Sequence, residues 1–123
     1  MPIKILVAED DRFLGKAYTA KFEKVGYEVR HAIDGVEVFE ILQNYTPDII
    51  LLDLVMPIKD GFTTLKELKA NDKYKSIPVI IASNLGQKDE IDKGVSMGAA
   101  DYIVKSDTAI DVLIDKVRKL VSN

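Results

Sequence analysis

The sequence predicts an α/β domain in which five parallel strands alternate with five helices. Short apolar runs rich in β-branched residues recur at 3–8, 27–32, 48–53, 77–83 and 101–105, and their length and composition favour strands. The third and fourth runs are almost continuous in Ile, Val and Leu, which is typical of strands covered by helices on both faces. The stretches between the runs have apolar residues three and four positions apart, the spacing of an amphipathic helix.

Each helix is predicted from a set of apolar residues that share one helical face. In chain order, the five sets are Leu14, Ala17, Tyr18, Phe22 and Val25; Val38, Phe39 and Leu42; Phe62, Leu65 and Leu68; Ile91 and Val95; and Ile110, Leu113, Ile114, Val117, Leu120 and Val121. Gly26 follows the first set and suits a helix C-terminus. Gly94 interrupts the fourth set, which makes that helix the least regular.

The alternation of strands and helices also predicts the topology. Right-handed crossovers between parallel strands place helices on both sides of the sheet. We expect a doubly wound (βα)₅ sandwich with strand order 2-1-3-4-5, which is the flavodoxin-like order. In that order the winding direction reverses between strands one and three, and ligands bind outside the carboxyl ends of those strands.

Length and composition narrow the class of protein. A chain of 123 residues suits one domain, 1–123, and 47% hydrophobic with 30% charged residues is an ordinary globular balance. The net charge of −3 and the scattered lysines and arginines argue against direct nucleic-acid or membrane binding. The absence of cysteine excludes disulfides and thiolate metal sites. The acidic start "MPIKILVAEDD" does not resemble a signal peptide, so we expect a cytoplasmic protein.

Reactive side chains follow four of the predicted strands. Glu9 and Asp10 come after strand one and Asp53 ends strand three, while Ser83 and Lys105 end strands four and five. Carboxylates gathered at one sheet edge repel one another, and a divalent cation reverses that penalty. An all-oxygen set without His or Cys suits Mg²⁺ or Mn²⁺. Acids, a metal, a hydroxyl and a lysine together are what phosphoryl transfer to a carboxylate nucleophile requires.

Four motifs in order, "ILVAEDD", "LLDLVMPIKDG", "VIIAS" and "GAADYIVK", carry a resemblance to a known family. The chain resembles the receiver domain of bacterial two-component response regulators over essentially its whole length. The resemblance implies that Asp53 is the phosphoacceptor and that the donor is the phosphohistidine of a histidine kinase or phosphotransfer protein. Such a domain catalyses its own phosphorylation without releasing a product, so it is not a conventional enzyme.

The resemblance also implies roles for the neighbouring residues. Mg²⁺ would be bound by Asp10, Asp53 and the Val55 carbonyl, with Glu9 acting through water. The phosphoryl group would be held by Ser83 and Lys105, and Tyr102 would turn inward as Ser83 moves. The surface of helix four, strand five and helix five would then change and control a protein partner or an output domain; on helix five, Val112 lies on the outward face.

The chain departs from the family pattern at two positions. Ser106 follows Lys105 where receivers usually have proline, and Asn84 follows Ser83 where a small Ala or Gly is usual. Asn84 borders the expected position of the phosphoryl oxygens, so it either alters access to them or adds a hydrogen-bond donor. Both departures affect the expected switching more than the reaction.

Three other classes use a similar fold or similar chemistry. A haloacid-dehalogenase hydrolase needs Asp-x-Asp after strand one, but Asp10 is followed by Asp11 and Arg12. A flavodoxin needs a Ser/Thr/Gly-rich phosphate loop there, and "AEDDRF" is acidic. A pseudo-receiver, which binds proteins without being phosphorylated, is disfavoured by the intact set of reactive residues. The sequence leaves open whether the protein is a stand-alone receiver or part of a longer regulator.

Overall fold

The computed structural model describes residues 2–121, in which five parallel strands form one sheet in the order 2-1-3-4-5. In chain order the elements are β1 (Lys4–Ala8), α1 (Arg12–Lys24), β2 (Glu28–Ala32), α2 (Gly35–Leu42), β3 (Ile49–Leu52), α3 (Gly61–Ala70), β4 (Val79–Ser83), α4 (Lys88–Ser96), β5 (Asp101–Val104) and α5 (Ile110–Val121). The predicted fold class and strand order are confirmed. The outermost residues of the predicted domain, Met1, Ser122 and Asn123, lie outside the described part of the chain.

The sheet separates two apolar cores. Alternate residues of each strand face opposite sides, so Leu6 and Ile50 pack in the core beneath α2 and α3, whereas Ile5 and Ile49 pack in the core beneath α1 and α5. Every residue of β3 and β4 is buried. This is the burial expected of central parallel strands, and it explains why their sequences are apolar without alternation. Within residues 2–121, none of the helices is both long and apolar enough to span a bilayer.

Three helices are capped by an aspartate that directly precedes their first residue. Asp11, Asp34 and Asp60 each accept a hydrogen bond from the backbone N–H three residues later, at 3.1, 2.8 and 2.8 Å. Such a cap satisfies an otherwise unpaired N–H and stabilises a helix by about 1 kcal/mol. At the other end of α1, Gly26 has φ +97°, the left-handed conformation expected of a residue that terminates a helix. The caps fix where the loops at the carboxyl edge of the sheet end.

Three apolar residues that were predicted on buried helix faces are partly exposed. Val25, Val95 and Leu120 have exposed fractions of 43%, 53% and 37%. Val25 lies beyond the last residue of α1. On α4 the buried residue is Gly94, where an added Cβ would lie 2.6 Å from Cδ1 of Ile81. The helix therefore rests on the sheet through its glycine, and the neighbouring valine faces solvent.

The loop between β3 and α3 closes tightly and leaves one residue strained. The Gly61 N–H donates to the Leu54 carbonyl at 2.9 Å, and a Cβ at Gly61 would collide with the Asp53 carbonyl. Within this loop Ile58 has φ +69°, and its side chain is 83% exposed. A β-branched residue in the left-handed region is a genuine outlier, and the exposed side chain gains little from packing in return.

We expect Ile58→Asn to raise the free energy of unfolding by about 1 kcal/mol, because asparagine tolerates the left-handed region better than a β-branched residue. Urea denaturation measures the change. Ile58→Val keeps both the β-branch and the exposure, so it serves as the control and should leave stability nearly unchanged. An asparagine variant no more stable than the valine variant would contradict strain at this position.

Candidate functional site

The carboxyl edge of the sheet contains a cleft of ≈ 390 Å³. All five sequence-predicted reactive residues line it, namely Glu9, Asp10, Asp53, Ser83 and Lys105. The strand order explains this gathering. Ala8 of β1 is paired with Leu52 of β3, and the Asp53 N–H donates to the Ala8 carbonyl at 3.0 Å, so the residues after both strands start side by side.

The three acids are close together but differ in exposure. One carboxylate oxygen from each of Glu9, Asp10 and Asp53 lies within 4.8 Å of the others. Glu9 and Asp53 are only 2% and 5% exposed, whereas Asp10 is exposed to solvent. The Glu9 carboxylate also accepts the Asp11 N–H at 3.1 Å. Two of the three charges are therefore held away from water.

Lys105 supplies the positive charge of the cleft. Its Nζ donates to Glu9 Oε1 and, at 2.9 Å, to Asp53 Oδ2, and its side chain is largely buried. The sequence placed Lys105 at the end of strand five, but β5 ends at Val104 and Lys105 begins a short 3₁₀ turn that extends to Asp107. The ammonium reaches the acids from the edge of the sheet through the length of its side chain.

The pKa values of the ion pair reflect burial and charge. The pKa of Glu9 is raised to about 7, chiefly by burial; the hydrogen bond from Lys105 opposes the rise, and the charge of Asp53 adds to it. Burial by itself would lower the pKa of Lys105, but hydrogen bonds to Glu9 and Asp53 outweigh it, so the net direction is upward. Lys105 therefore stays protonated, and ionised Glu9 is the costly member of the group.

The donor set fits a hard divalent cation. When all three carboxylates are ionised, the Lys105 ammonium leaves a net charge of −2 in the cleft, which a divalent ion neutralises. The grouped oxygens and the absence of sulfur and imidazole donors among them suit Mg²⁺ or Mn²⁺. Val55 lines the same cleft, and its N–H donates to Asp53 Oδ1 at 3.3 Å. The loop that would offer its carbonyl is thereby held beside the acids.

Ser83 and Tyr102 are linked through one residue between them. The fully buried Ser83 accepts the Leu85 N–H on its hydroxyl at 3.2 Å. The half-buried Tyr102 donates its hydroxyl to the Leu85 carbonyl. Burial, followed by the charge of Glu90, raises the pKa of Tyr102, so the phenol keeps its proton and remains a donor. Both predicted switch residues therefore contact the Leu85 backbone.

As a lone histidine on a short strand beside Arg30, His31 is predicted from the sequence to lie on the surface, and the structure corrects this prediction. His31 is half-buried, and its Nε2 lies 2.7 Å from the Glu9 carbonyl. Because a carbonyl only accepts, this nitrogen carries the proton. The ring also occupies the space that a Cβ at Gly15 would need. A glycine inside α1 was the sequence signal for this contact, because glycine is costly there without a packing reason.

The fold and the acidic cleft together define a doubly wound α/β domain with three grouped carboxylates at its switch point. The sequence matches the family described as the response regulator receiver domain over residues 5–118. The chain belongs to this family, which serves phosphorylation-gated signalling in two-component systems. Receiver domains bind a divalent metal at an acidic pocket, and the three grouped carboxylates are consistent with that property.

Individual relatives agree with this assignment. The chain is 32% identical over 118 residues to the DNA-binding dual master transcriptional regulator RpaA of Synechocystis, covering 96% of this chain and 48% of that protein. A Francisella response regulator receiver domain superposes with a TM-score of 0.89 at 34% identity, covering 97% of this chain and 96% of that one. The Mn²⁺-bound form of response regulator Rcp1 superposes with a TM-score of 0.82 at 26% identity, covering 96% and 93%. The chain thus spans about half the length of RpaA.

In the absence of divalent ions, we expect Glu9→Gln to be more stable than the original protein by about 1–3 kcal/mol above pH 7. The folded state raises the pKa of Glu9 from 4.5 to about 7, so stability from this group is lost as the pH rises through that interval. The advantage of the variant should therefore vanish near pH 4.5. Urea denaturation with a chelator at several pH values measures it.

Glu23→Gln, at an exposed position of α1, is the matched control and should show no such pH dependence. Added Mg²⁺ should stabilise the original protein more than Glu9→Gln, because the ion offsets the repulsion that the variant lacks. An advantage of equal size at pH 5 and pH 8 would show that the ionised Glu9 carboxylate is not the costly group.

Proposed function

We propose that Asp53 accepts a phosphoryl group from the phosphohistidine of a histidine kinase or phosphotransfer protein in an Mg²⁺-dependent reaction. The observation that carries the proposal is the convergence of Lys105, Ser83 and two further acids on the Asp53 carboxylate in one cleft. In this proposal residues 1–123 form a single receiver domain in the cytoplasm. Its change of surface controls a partner protein or an output domain, and the domain itself contacts neither nucleic acid nor membrane.

The chemistry of the transfer follows from the side chains present. A carboxylate oxygen of Asp53 attacks phosphorus, the bond from phosphorus to the imidazole nitrogen breaks, and an acyl phosphate forms. Lys105 is close enough to the Asp53 carboxylate, at 2.9 Å, to exchange part of that ion pair for a phosphoryl oxygen. Ser83 offers a hydroxyl donor to another oxygen. Both residues thus stabilise negative charge in a cleft where water is partly excluded.

Four residues would hold the metal ion. Asp10, Asp53 and the Val55 carbonyl are proposed as direct ligands, and Glu9 is proposed to act through water. When bound, the ion supplies positive charge that neutralises the phosphoryl oxygens and the acids. Mn²⁺ is an alternative to Mg²⁺ because it accepts the same oxygen donors, and the related response regulator Rcp1 has a Mn²⁺-bound form. Lys105, which is paired with Glu9 and Asp53, would add to the positive charge that the ion supplies.

The signal is proposed to leave through the Leu85 backbone. If the Ser83 hydroxyl turns to the phosphoryl group, it releases the Leu85 N–H that it now accepts. Tyr102 is bonded to the carbonyl of the same residue, so its ring responds to any movement of this loop. The Tyr102 ring packs closely against Gly94 of α4, because a Cβ at that glycine would lie only 3.2 Å from Cδ2 of Tyr102. Loop, ring and α4 are therefore coupled by direct contact.

A second set of contacts continues from Tyr102 to α5. The Tyr102 N–H donates to Asp101 Oδ1 at 2.7 Å, and Lys116 of α5 binds Asp101 Oδ2 at 2.9 Å. One carboxylate thus joins the strand that holds the tyrosine to the last helix. Val112, on the outward side of α5, is 47% exposed and is proposed as a partner contact. The surface formed by α4, β5 and α5 is the proposed output surface.

We expect Asp53→Ala to abolish phosphate incorporation from acetyl phosphate and Mg²⁺, because it removes the nucleophile. Mass spectrometry of the intact protein should show one added phosphoryl group in the original chain and none in the variant. Asp10→Ala should weaken Mg²⁺ binding at least tenfold, because a charged ligand is lost. Asp111→Asn, at an exposed position of α5, is the control and should behave like the original. Undiminished labelling of Asp53→Ala would refute the phosphoacceptor assignment.

We expect beryllofluoride, a phosphoryl mimic, to change the amide chemical shifts of Tyr102, Lys105 and Val112 in the presence of Mg²⁺. Beryllofluoride should engage Ser83, free Leu85 and so reach α5 through Asp101. Residues of β2, on the opposite edge of the sheet, provide the internal control and should change little. Shift changes confined to the cleft, with Tyr102 and Val112 unmoved, would contradict this route.

A further inference from the structure

The two positions that depart from the family pattern contact each other. The backbone N–H of Ser106 donates to Oδ1 of Asn84 at 3.1 Å. Asn84 directly follows Ser83, and Ser106 directly follows Lys105. The hydrogen bond therefore joins the loop after β4 to the turn after β5, immediately beside the two residues proposed to hold the phosphoryl group.

Both departures are needed for this contact. Proline at position 106 would have no N–H to donate, and alanine or glycine at position 84 would have no side-chain acceptor. The two substitutions away from the usual residues are thus explained by a single hydrogen bond. Neither the asparagine nor the serine side chain needs to be buried for this hydrogen bond, and both residues are exposed to solvent.

The hydrogen bond also fixes which way the asparagine amide is turned. A backbone N–H only donates, so the atom facing it must be the carbonyl oxygen of the side chain. The two N–H groups of the Asn84 amide are then left for another acceptor. Within residues 2–121, the only hydrogen bond to the Asn84 side chain is the one to its oxygen.

Asn84 borders the cleft in which the phosphoryl group on Asp53 would form. It lines the acidic cleft together with Ser83, Lys105 and Asp53. It also lines a second cavity of ≈ 340 Å³ bordered by Tyr18 and Ile110, so it forms part of the wall between the two. The acids of the first cleft leave few donors for an anion there. An amide with two free N–H groups adds donors to the Lys105 ammonium and the Ser83 hydroxyl.

We propose that the side-chain amide of Asn84 is an additional ligand of the phosphoryl group on Asp53, oriented for this role by the N–H of Ser106. This inference rests on the proposed phosphorylation of Asp53 and adds a phosphoryl-binding residue to that site. Ser106 is a positioning residue that acts through Asn84. The hydrogen bond also links the loops of Ser83 and Lys105, so both loops engage the phosphoryl group as one unit.

The test compares variants that separate the donor from its orientation. Beryllofluoride affinity is measured by titration at saturating Mg²⁺. Asn84→Ala should bind about tenfold more weakly, because a hydrogen bond to a charged group is lost. Ser106→Pro should also weaken binding, whereas Ser106→Ala, which keeps the backbone N–H, should bind like the original. The double variant Asn84→Ala with Ser106→Pro should bind no more weakly than Asn84→Ala. In that variant the Asn84 side-chain amide is already absent, so the loss of the Ser106 N–H has no further effect.

A spectroscopic readout separates ligation from a merely structural role. The side-chain NH₂ resonances of Asn84, identified by their loss in Asn84→Ala, should shift when beryllofluoride binds. Unchanged affinity in Asn84→Ala, unmoved NH₂ resonances, or a Ser106→Pro variant that binds like Ser106→Ala would each overturn the inference. Thermal denaturation without beryllofluoride checks that all variants fold. If the original protein fails to bind beryllofluoride at all, the proposed function fails and this inference fails with it.

Discussion

The adjacency of β1 and β3 is the constraint on which the site depends. The chain reverses its winding direction between these strands, so the backbone that continues past Ala8 and Leu52 must bring Glu9 and Asp53 together. The rise in the pKa of Glu9 from 4.5 to about 7 corresponds to roughly 3 kcal/mol of cost when the carboxylate ionises. Four fully buried side chains in β3 contribute about 1.5–3 kcal/mol each. Packing of the strand therefore outweighs the repulsion that it creates.

The excess of negative charge in the cleft determines which ligands it can attract. A single ammonium, Lys105, bridges the two buried acids and leaves the cleft short of positive charge. A divalent ion is attracted for this reason, and a phosphoryl group can enter only where such positive charge offsets that of the acids. The residues proposed to bind the phosphoryl group, Ser83 and Lys105, lie on the opposite half of the sheet from Glu9. The site is thus assembled from both halves of the doubly wound sheet.

The sequence predicted the parts that depend on local pattern. Apolar runs ending in a carboxylate placed Asp53 correctly, because a charge is costly within a strand buried on both faces and therefore marks its end. Contacts between distant segments were not predictable in the same way. Val95 faces solvent because Gly94 lets α4 approach the sheet, and the conformation of Ile58 follows from closure of its loop. The hydrogen bond between residues 84 and 106 spans 22 positions and has no local signature.

The contacts available to a phosphoryl group determine how far it can shift the population of the domain from one conformation to another. Moving a population from 1:99 to 99:1 requires roughly 5.5 kcal/mol of differential affinity, and a hydrogen bond to a charged group contributes about 1.5–3 kcal/mol. Ser83 must give up the Leu85 N–H, and Lys105 must share its bonds to the acids, so part of their contribution offsets contacts already present. The amide N–H groups of Asn84 give up no hydrogen bond within residues 2–121. A third ligand of this kind strengthens binding of the phosphoryl group, but it shifts the population only by the amount that its hydrogen bond is stronger in one conformation than in the other.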